Sequence, residues 1–505
     1  YTFQEAFDAC PSDGTETTVE VLRNCTTDMA NIIEENKNIV LDIQSYKIVS
    51  GIENLFTNNG KFKIVDSIGN GRIISAKGTI LKNEETGNFA INNITMQMTG
   101  SSAIDETIEN KGMLEVTGGV IISDGLKNKG INNIEQGTVK ITGGTVSAYT
   151  YAIYNTSSNK VEIEGGTVQA TYYYEGYSAI YNNTENGVVE IKGGLVTNQG
   201  KAIENKKGTI KVTGGEIRTT QGDTRYSECG IYNNGKVIIE DGKVAALYRG
   251  SGIQNEGGTI EITGGTVSAP EWYNSIINRG TLEISGGTIK SNEKGIYNNS
   301  ILKMTGGTVE VQESKSYNYA ALECGGGTAT IEGGTIKYNN IGNTSYNTAA
   351  IRITTNTATL TLGKEDGNVS TTNPEIIGST YGISNEGNGQ FNFYDGIVKG
   401  ILAAISGNIT RVEDKYTLVG GTEDNYQTTT LGFLATDTMT ACVNGTYYST
   451  LQEAINSCID NKETYIILVN GATVSENITI SSNKIIKIDL KGYTISGNSG
   501  INIEN

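Results

Sequence analysis

Regularly spaced carboxylates are the first side chains in this sequence that could carry out chemistry. They stand in the middle of a repeated Val/Ile-x-Val/Ile segment, and successive repeats place the following residues at that position: Glu162, Glu190, Lys211, Ile238, Glu261, Glu283, Lys303 and Thr330. Glycoside hydrolysis needs two facing carboxylates, and neighbouring glutamates fit that need at 162/190 and at 261/283. Because lysines and uncharged residues interrupt the row, we interpret it as a solvent-exposed face and predict no catalytic residue.

The composition narrows the chemistry further. The sequence has no histidine, which rules out Ser-His-Asp and Cys-His arrangements and, with no Cys-x-x-Cys motif, argues against a zinc site. Its 38 basic and 55 acidic residues give a net charge of −17, which disfavours binding to a phosphate backbone. No apolar stretch reaches the length of a membrane helix. We therefore predict no cofactor, no metal, no nucleic-acid partner and no membrane insertion in this segment.

Aromatic side chains are concentrated in one variable loop of the repeat. They are Tyr149, Tyr151, Tyr172, Tyr173, Tyr174, Tyr177, Tyr226, Tyr248, Trp272, Tyr273, Tyr317 and Tyr319. Each loop leaves its repeat at the same corner, so the rings should gather along one side, extended by Tyr154, Tyr181, Tyr232 and Tyr297. Aromatic rings with polar tips suit glycan stacking and protein interfaces. The sequence leaves two roles open for these residues, binding or self-assembly on one hand and packing on neighbouring loops on the other.

The six cysteines are too few for a disulfide scaffold in a chain of 505 residues. Cys10 and Cys25, and separately Cys442 and Cys458, could pair across the loops near their helices. The repeat also predicts a cysteine shortly before Tyr1, which would compete for Cys10. Cys229 and Cys324 should lie about four coils apart, roughly 19 Å at the spacing of strands, so we predict that these two do not pair.

An internal repeat dominates the sequence. A phrase of the form x-Ile/Val-x-Ile/Val-x-Gly-Gly-Thr-Val/Ile recurs every 20 to 28 residues, with its Gly-Gly or a close variant at Gly118, Gly143, Gly165, Gly193, Gly214, Asp241, Gly264, Gly286, Gly306 and Gly333. The strict alternation predicts strands with one apolar face, and the short loops leave no room for helices between them. The pattern therefore predicts an all-β fold, a right-handed parallel β-helix with three short strands in each coil of about 20 to 30 residues.

A recurring asparagine ends the first strand of each coil. It follows an inward aliphatic residue by two positions, so its side chain should also point inward. Asparagine can bond both to the backbone and to the asparagine of the next coil. We predict a structural ladder formed by Asn110, Asn128, Asn155, Asn182, Asn205, Asn233, Asn255, Asn278, Asn298 and Asn385.

A second, longer period divides the chain. The opening Gln-Glu-Ala-Phe-Asp-Ala-Cys returns as Gln-Glu-Ala-Ile-Asn-Ser-Cys, and Asp42 and Tyr46 match Asp489 and Tyr493, 447 residues later. Both copies have apolar residues at helical spacing, which predicts a short helix that covers the end of a β-helix. We predict an N-terminal cap over 1–50, coils over 51–421, a linker or terminal coil over 422–446, and the cap and first coil of a second tandem unit over 447–505.

The helix-then-strand cap, the Leu-Lys-Gly-Tyr-Thr-Ile-Ser-Gly phrase at 490–497 and the repeated Ile-Thr-Gly-Gly-Thr-Val-Ser-Ala resemble pectin-lyase-like β-helix modules. They look most like those of large surface proteins of Gram-positive bacteria. The resemblance covers nearly the whole chain and is specific for the fold, which hosts lyases, hydrolases, adhesins and fibre proteins.

The resemblance implies an extracellular structural protein at the bacterial cell surface, a stalk, filament or adhesin. Its expected partners are further tandem units or neighbouring copies, and host or bacterial glycans or surface proteins. The alternative is a polysaccharide-active lyase or hydrolase, which would hold three or more acids around one groove opposite an Arg or Lys. Ice binding is disfavoured because the unequal coil lengths disturb a flat lattice.

Overall fold

In the computed structural model, the chain forms a right-handed parallel β-solenoid of about 19 turns. The fold class predicted from the repeat is therefore confirmed. The structure describes residues 1–100, 106–172, 176–220, 228–270, 272–312, 319–339, 348–366, 368–414, 416–433, 439–443, 446–474, 477–497 and 500–503. Within them, no helix is both long and apolar enough to span a membrane.

Three parallel ladders run along the solenoid, one for each strand of the coil. The first ladder, whose strands carry the recurring asparagine, contains Asn31–Ile33, Asn54–Asn58, Thr79–Asn83, Glu106–Asn110, Lys129–Asn133, Tyr151–Asn155, Cys229–Asn233, Ser251–Asn255, Asn274–Asn278, Lys294–Asn298, Ala320–Cys324, Ala349–Ile353, Tyr381–Asn385 and Ala403–Ser406. The central ladder contains Glu16–Glu20, Asn38–Asp42, Lys61–Val65, Asn88–Asn92, Met113–Val116, Thr138–Ile141, Val161–Ile163, Thr259–Ile262, Thr281–Ile284, Ile301–Met304, Thr328–Ile331, Thr359–Leu362, Gln390–Phe393 and Arg411–Val412.

The third ladder contains Cys25–Thr27, Lys47–Ser50, Arg72–Ser75, Thr95–Met98, Val120–Ser123, Thr145–Ala148, Thr167–Ala170, Leu195–Asn198, Thr266–Ala269, Thr288–Ser291, Thr308–Val311, Thr335–Tyr338, Glu375–Gly378 and Ile397–Gly400. Three long strands, Ser178–Ile191, Lys201–Thr219 and Lys236–Ala246, pass through a corner and contribute to more than one ladder.

The core is a set of aliphatic columns along the axis of the solenoid. Val161 and Ile163 lie in register with Val189 and Ile191 of the next turn, and all four side chains are fully buried. Period-two alternation places them inward and leaves Glu162 outward. Each turn therefore buries its apolar face against the turns above and below, and stability accumulates along the axis rather than around one spherical centre.

The Gly-Gly pairs form the corner between the central and third strands. The second glycine has a positive φ, for example 74° at Gly166, which a residue with a Cβ seldom adopts. A Cβ at Gly166 would also lie 2.5 Å from the carbonyl oxygen of Gly144 in the preceding turn. The glycines are thus required by the sharp corner and by the close stacking of the turns.

Two short helices, Phe3–Ala9 and Leu451–Ser457, cover the beginnings of two solenoid stretches, as the longer period predicts. The first stretch ends with antiparallel strands Tyr416–Glu423 and Tyr426–Phe433, the second of which also pairs with Ile397–Gly400. The later strands are Ala441–Val443, Thr446–Tyr448, Glu463–Leu468, Ala472–Val474, Ile478–Ile480, Ile485–Asp489, Ile495–Gly497 and Ile501–Ile503. The domain boundaries given above stay predictions.

Candidate binding face

Six tyrosines from two successive turns form a packed group, which we call the tyrosine cluster: Tyr149, Tyr151, Tyr154, Tyr172, Tyr177 and Tyr181. Tyr154 and Tyr181 are register partners on the first ladder, and their rings stack with centroids 4.8 Å apart. Tyr151 lies 5.3 Å from Tyr177 in an edge-on arrangement. The loops at this corner therefore do bring aromatic residues of adjacent turns together.

The tyrosine cluster is held by its own contacts. The hydroxyl of Tyr151 donates to the carbonyl of Gly176 over 2.5 Å, and burial raises the pKa of that hydroxyl. The Tyr149 and Tyr172 rings lie 4.6 Å apart. All six side chains are half-buried, so much of each ring is already in contact with protein. This part of the aromatic side is built mainly by packing between loops.

Tyr248 and Trp272, which we call the exposed pair, are more exposed to solvent than the tyrosine cluster. They occupy equivalent loops, because the strands that follow them, Ser251–Asn255 and Asn274–Asn278, are neighbours on the first ladder. Tyr248 is 71% exposed and Trp272 is 54% exposed. The backbone of Trp272 has a φ of +73°, and its N–H donates to the buried carboxylate of Glu293 over 3.0 Å. The loop thus presents a large aromatic ring to solvent from a fixed backbone.

The remaining predicted aromatic residues divide into two groups. Tyr273 and Tyr319 are half-buried, and the Lys294 ammonium lies 4.7 Å from the centre of the Tyr319 ring. Four others lie outside the described residues: Tyr173, Tyr174, Tyr226 and Tyr317. The added tyrosines Tyr232 and Tyr297 share the outward row of the first ladder with Tyr154 and Tyr181.

A polar group adjoins the tyrosine cluster on the preceding turns. The Lys129 ammonium donates to Oδ1 of Asn132 over 3.0 Å and lies 4.2 Å from the centre of the Tyr154 ring. Burial lowers the pKa of Lys129. Glu106 is 8% exposed, and burial together with a hydrogen bond to Glu109 raises the pKa of its carboxyl to about 7. Sequence reasoning missed Glu106 and Glu109, since the first position of this strand varies from turn to turn and a glutamate there does not stand out.

A second carboxylate lies on the other side of the cluster. Glu204 stands in the outward row between Tyr181 and Tyr232, and its side chain is 3% exposed. One carboxylate oxygen contacts the ammonium groups of Lys201 at 3.4 Å and Lys206 at 2.8 Å. Lys201 also lies 4.2 Å from the centre of the Tyr232 ring. Aromatic faces, ammonium groups and carboxylates therefore alternate along this side, which is chemistry suited to sugars and polar protein surfaces.

The carboxylates of the central ladder are engaged by lysines. Glu162 and Glu190 are register partners, and the ammonium groups of Lys160 and Lys192 each contact both of them. These contacts lower the pKa of Glu162, with the hydrogen bond from Lys192 as the largest cause. Further along, Glu261 contacts Lys236 over 2.7 Å. The row is a set of cross-turn ion pairs on a partly exposed face, where each pair contributes little to stability.

The asparagine ladder forms a continuous chain of side-chain hydrogen bonds. In each link the Nδ2 of one asparagine donates to Oδ1 of the next over 2.7 to 2.9 Å, and the members in order are Asn58, Asn83, Asn110, Asn133, Asn155, Asn182, Asn205, Asn233, Asn255, Asn278 and Asn298. The same amides also donate to corner carbonyls, such as that of Gly137 from Asn133. The ladder therefore satisfies buried backbone groups at every turn it crosses.

Two predicted members of the ladder do not join this chain of amides, although Asn385 lies in the same register column. Asn128 lies before its strand and donates to the carbonyl of Gly100, so the prediction for this residue was wrong, and Asn133 takes the ladder position of that turn. Asn385 donates to the carbonyls of Gly389 and Asn408, and its register partner is Ile353 rather than an asparagine. The chain of amides stops after Asn298 because Cys324 follows it in the register.

None of the six cysteines forms a disulfide, so the two bonds considered from the sequence are not formed. The Cys10 thiol donates to the carbonyl of Ala6 at the end of its helix, and Cys25 pairs with Ile48 on the third ladder. Cys442 is the register partner of Ile467, whose side chain faces outward. Cys458 instead packs in the core with Ile466, so these two thiols lie on opposite faces of the sheet.

The chain matches no protein-family model, no curated protein and no solved structure. Its class is therefore defined by its own architecture, a parallel β-solenoid with an internal asparagine ladder.

Proposed function

We propose that this chain is a structural rod of the bacterial cell surface, part of an extracellular stalk, filament or adhesin built from tandem β-solenoids. This proposal rests on the observation that the capping helix occurs twice in the chain. The helix Leu451–Ser457 repeats Phe3–Ala9 with the same capping box, from Thr450 and Glu453 in place of Thr2 and Glu5. A chain that begins the same solenoid twice extends by adding units in series.

The aligned columns and the amide ladder support a mechanical role. Parallel pairing at about 4.8 Å per turn makes a unit of roughly 16 turns about 75 Å long. Each turn is bonded to its neighbours by three strand ladders, and the inner amides add a fourth line of contacts. Bending or stretching such a rod requires many parallel contacts to change together.

Imaging tests the shape and its biological use. Small-angle scattering of the purified chain should give the profile of an elongated rod, and electron microscopy of native material should show extended fibres at the cell surface. A compact particle in scattering would contradict the rod, and native material that lies inside cells would contradict the surface location.

We also propose that the exposed pair is the part of the aromatic side that contacts a partner, with glycans as the favoured class. A large ring that is half or more exposed still has area to bury, whereas rings of the tyrosine cluster have already lost much of theirs. A glycan array should show binding by the wild-type chain that is lost in a Tyr248→Ala/Trp272→Ala variant. An Ile301→Ala variant, which removes an exposed apolar residue from the central ladder, is the matched control. Equal binding by all three proteins would remove the exposed pair from the proposal.

A second candidate function is cleavage of a polysaccharide, and one observation favours it. Glu106 has a carboxyl whose pKa is raised to about 7 and bonds to Glu109 beside the tyrosine cluster, and a general acid in a glycosidase needs such a raised pKa. Incubation with a panel of polysaccharides, read out as new chain ends, tests it. Cleavage by the wild-type chain that a Glu106→Gln variant lacks would establish the enzyme, while no cleavage would leave the structural role.

A further inference from the structure

The two solenoid beginnings differ at one sheet edge. Strand Glu463–Leu468 has two partners, Ile485–Asp489 in parallel and Ala441–Val443 in antiparallel. Its counterpart 447 residues earlier, Glu16–Glu20, pairs in parallel with Asn38–Asp42, and the described residues supply no second neighbour. Within the described residues, one edge of Glu16–Glu20 therefore has no strand partner.

Burial at the two beginnings follows this difference. Thr464 and Ile466 are 4% and 0% exposed beneath the antiparallel strand, whereas the matching Thr17 and Val19 are only half-buried. Leu451 of the second cap is 3% exposed, and the matching Phe3 is half-buried. Three corresponding positions thus lose exposure where the additional strand is present, as expected if the same covering completes the first beginning.

The backbone groups at this edge also correspond. Val21 donates its N–H to Asp42, so by the alternation of a strand the N–H groups of Thr18, Glu20 and Leu22 point to the opposite edge. In the second stretch the residue that matches Leu22 is Val469, and its N–H donates to the carbonyl of Thr440 over 3.1 Å. Leu22 itself is 78% exposed. The edge of the first stretch therefore presents a donor, at Leu22, in a position where the second stretch has a hydrogen bond.

We propose that the edge of Glu16–Glu20 is a docking site for an antiparallel strand, and that its occupant is a strand pair with the sequence features of residues 440–448 brought by another unit of the same kind. This goes beyond a rod built from tandem units, because it assigns the contact by which one unit is joined to the start of the next. Main-chain hydrogen bonds supply the attraction in such strand addition, and side chains supply the selectivity.

The charges at the edge define that selectivity. Glu16 and Glu20 are exposed and oppose pairing with an arbitrary strand. In the second stretch the position of Glu20 is taken by Ile467, which faces Cys442. A docking strand must therefore place a small residue opposite Glu20 and an aliphatic residue opposite Val19, as Val443 is opposite Ile466.

A fusion tests the proposal within the full chain. Residues 439–448 are placed directly before Tyr1, at the distance from the helix that they have in the second stretch. Hydrogen exchange at Thr18, Glu20 and Leu22 should slow by about tenfold or more, because their N–H groups become bonded. The control fusion carries Cys442→Pro, which removes an N–H that faces the edge, and should give the rates of the unextended chain.

A second arm covers a fusion that does not fold. A synthetic peptide of residues 439–449 with Cys442→Ser, which prevents capture by a disulfide, is added to the unextended chain and the same three amides are followed. Slower exchange with this peptide but not with its proline version supports the docking site. Unchanged rates, or equal slowing by both peptides, would overturn the docking site. The rod shape is tested separately, by small-angle scattering, and does not depend on this result.

Discussion

The two caps share their polar contacts but differ in the apolar residues beneath them. Gln4 bonds through both amide atoms to the backbone of Ile32, and Gln452 does the same with Thr479. Under the first helix lie aromatic rings, with Phe7 5.8 Å from Phe62. Under the second helix lie aliphatic side chains. Polar contacts thus fix where the helix sits, while apolar residues of different shape can fill the volume beneath it.

The largest effect is expected from the apolar layer. Phe7→Ala should lower the free energy of opening of the first turn by about 4 kcal/mol, because it empties a fully buried site among Phe56 and Phe62. Ile455→Ala should cost the second cap about 3 kcal/mol. Hydrogen exchange of Ile39 and of Ile466 gives the two values. A Phe7→Leu variant should recover most of the loss, and a loss unchanged in that variant would contradict the volume argument.

A lysine bonds to carbonyl groups at the end of each cap helix, and its loss should affect the two caps unequally. Lys37 is 7% exposed and donates to the carbonyls of Asp8 and Cys10, whereas Lys484 makes the equivalent contacts and also pairs with the exposed Asp460 at 2.8 Å. Lys37→Met should cost about 2 kcal/mol because it leaves buried carbonyls without donors. Lys484→Met should cost about 1 kcal/mol. Equal losses in chemical denaturation followed at each cap would remove the distinction.

The glutamine contact should behave alike in both caps. Gln4→Leu and Gln452→Leu each delete two hydrogen bonds at a partly exposed site, and each should cost about 1.5 kcal/mol. Exchange rates at Ile32 and Thr479 measure the effect directly, since these are the bonded N–H groups. A loss confined to one cap would show that the same hydrogen-bond geometry contributes unequally to the stability of the two caps.

The smallest effect tests the capping boxes. Thr2→Ala and Thr450→Ala remove the side chain that accepts from the N–H of Glu5 or Glu453, at 3.2 Å in both helices. Each variant should lose about 1 kcal/mol of helix stability. A Thr→Ser substitution is the control, because the hydroxyl is retained and stability should stay close to that of the wild-type chain.

The alternation of apolar and polar residues was sufficient to predict the fold, because it recurs from turn to turn and is joined by Gly-Gly corners through the middle of the chain. The asparagine ladder was predicted less completely. Asn58 and Asn83 follow Phe56 and Leu81 rather than isoleucine, so the Ile-x-Asn phrase does not identify them. Asn133 follows Ile131 by two residues, so in that repeat the same rule selects Asn133 rather than Asn128.

The candidate face was predictable in position but not in detail. The corner at which the loops leave is fixed by the repeat, so the meeting of Tyr149 with Tyr172 follows from the sequence. The exposure of each ring depends on loop backbone, such as the positive φ of Trp272, for which the sequence offers no signal. The pair Glu106 and Glu109 was likewise hidden, because its partners come from neighbouring turns.

The asparagine ladder also gives the molecule an electrical direction. Every link from Asn58 to Asn298 runs the same way, with the amide nitrogen towards the later turn and the oxygen towards the earlier one. Their dipoles add, as peptide dipoles do in a helix, and each bond polarises the next. The two ends of the ladder therefore differ in charge, with partial positive charge towards Asn298 and partial negative charge towards Asn58.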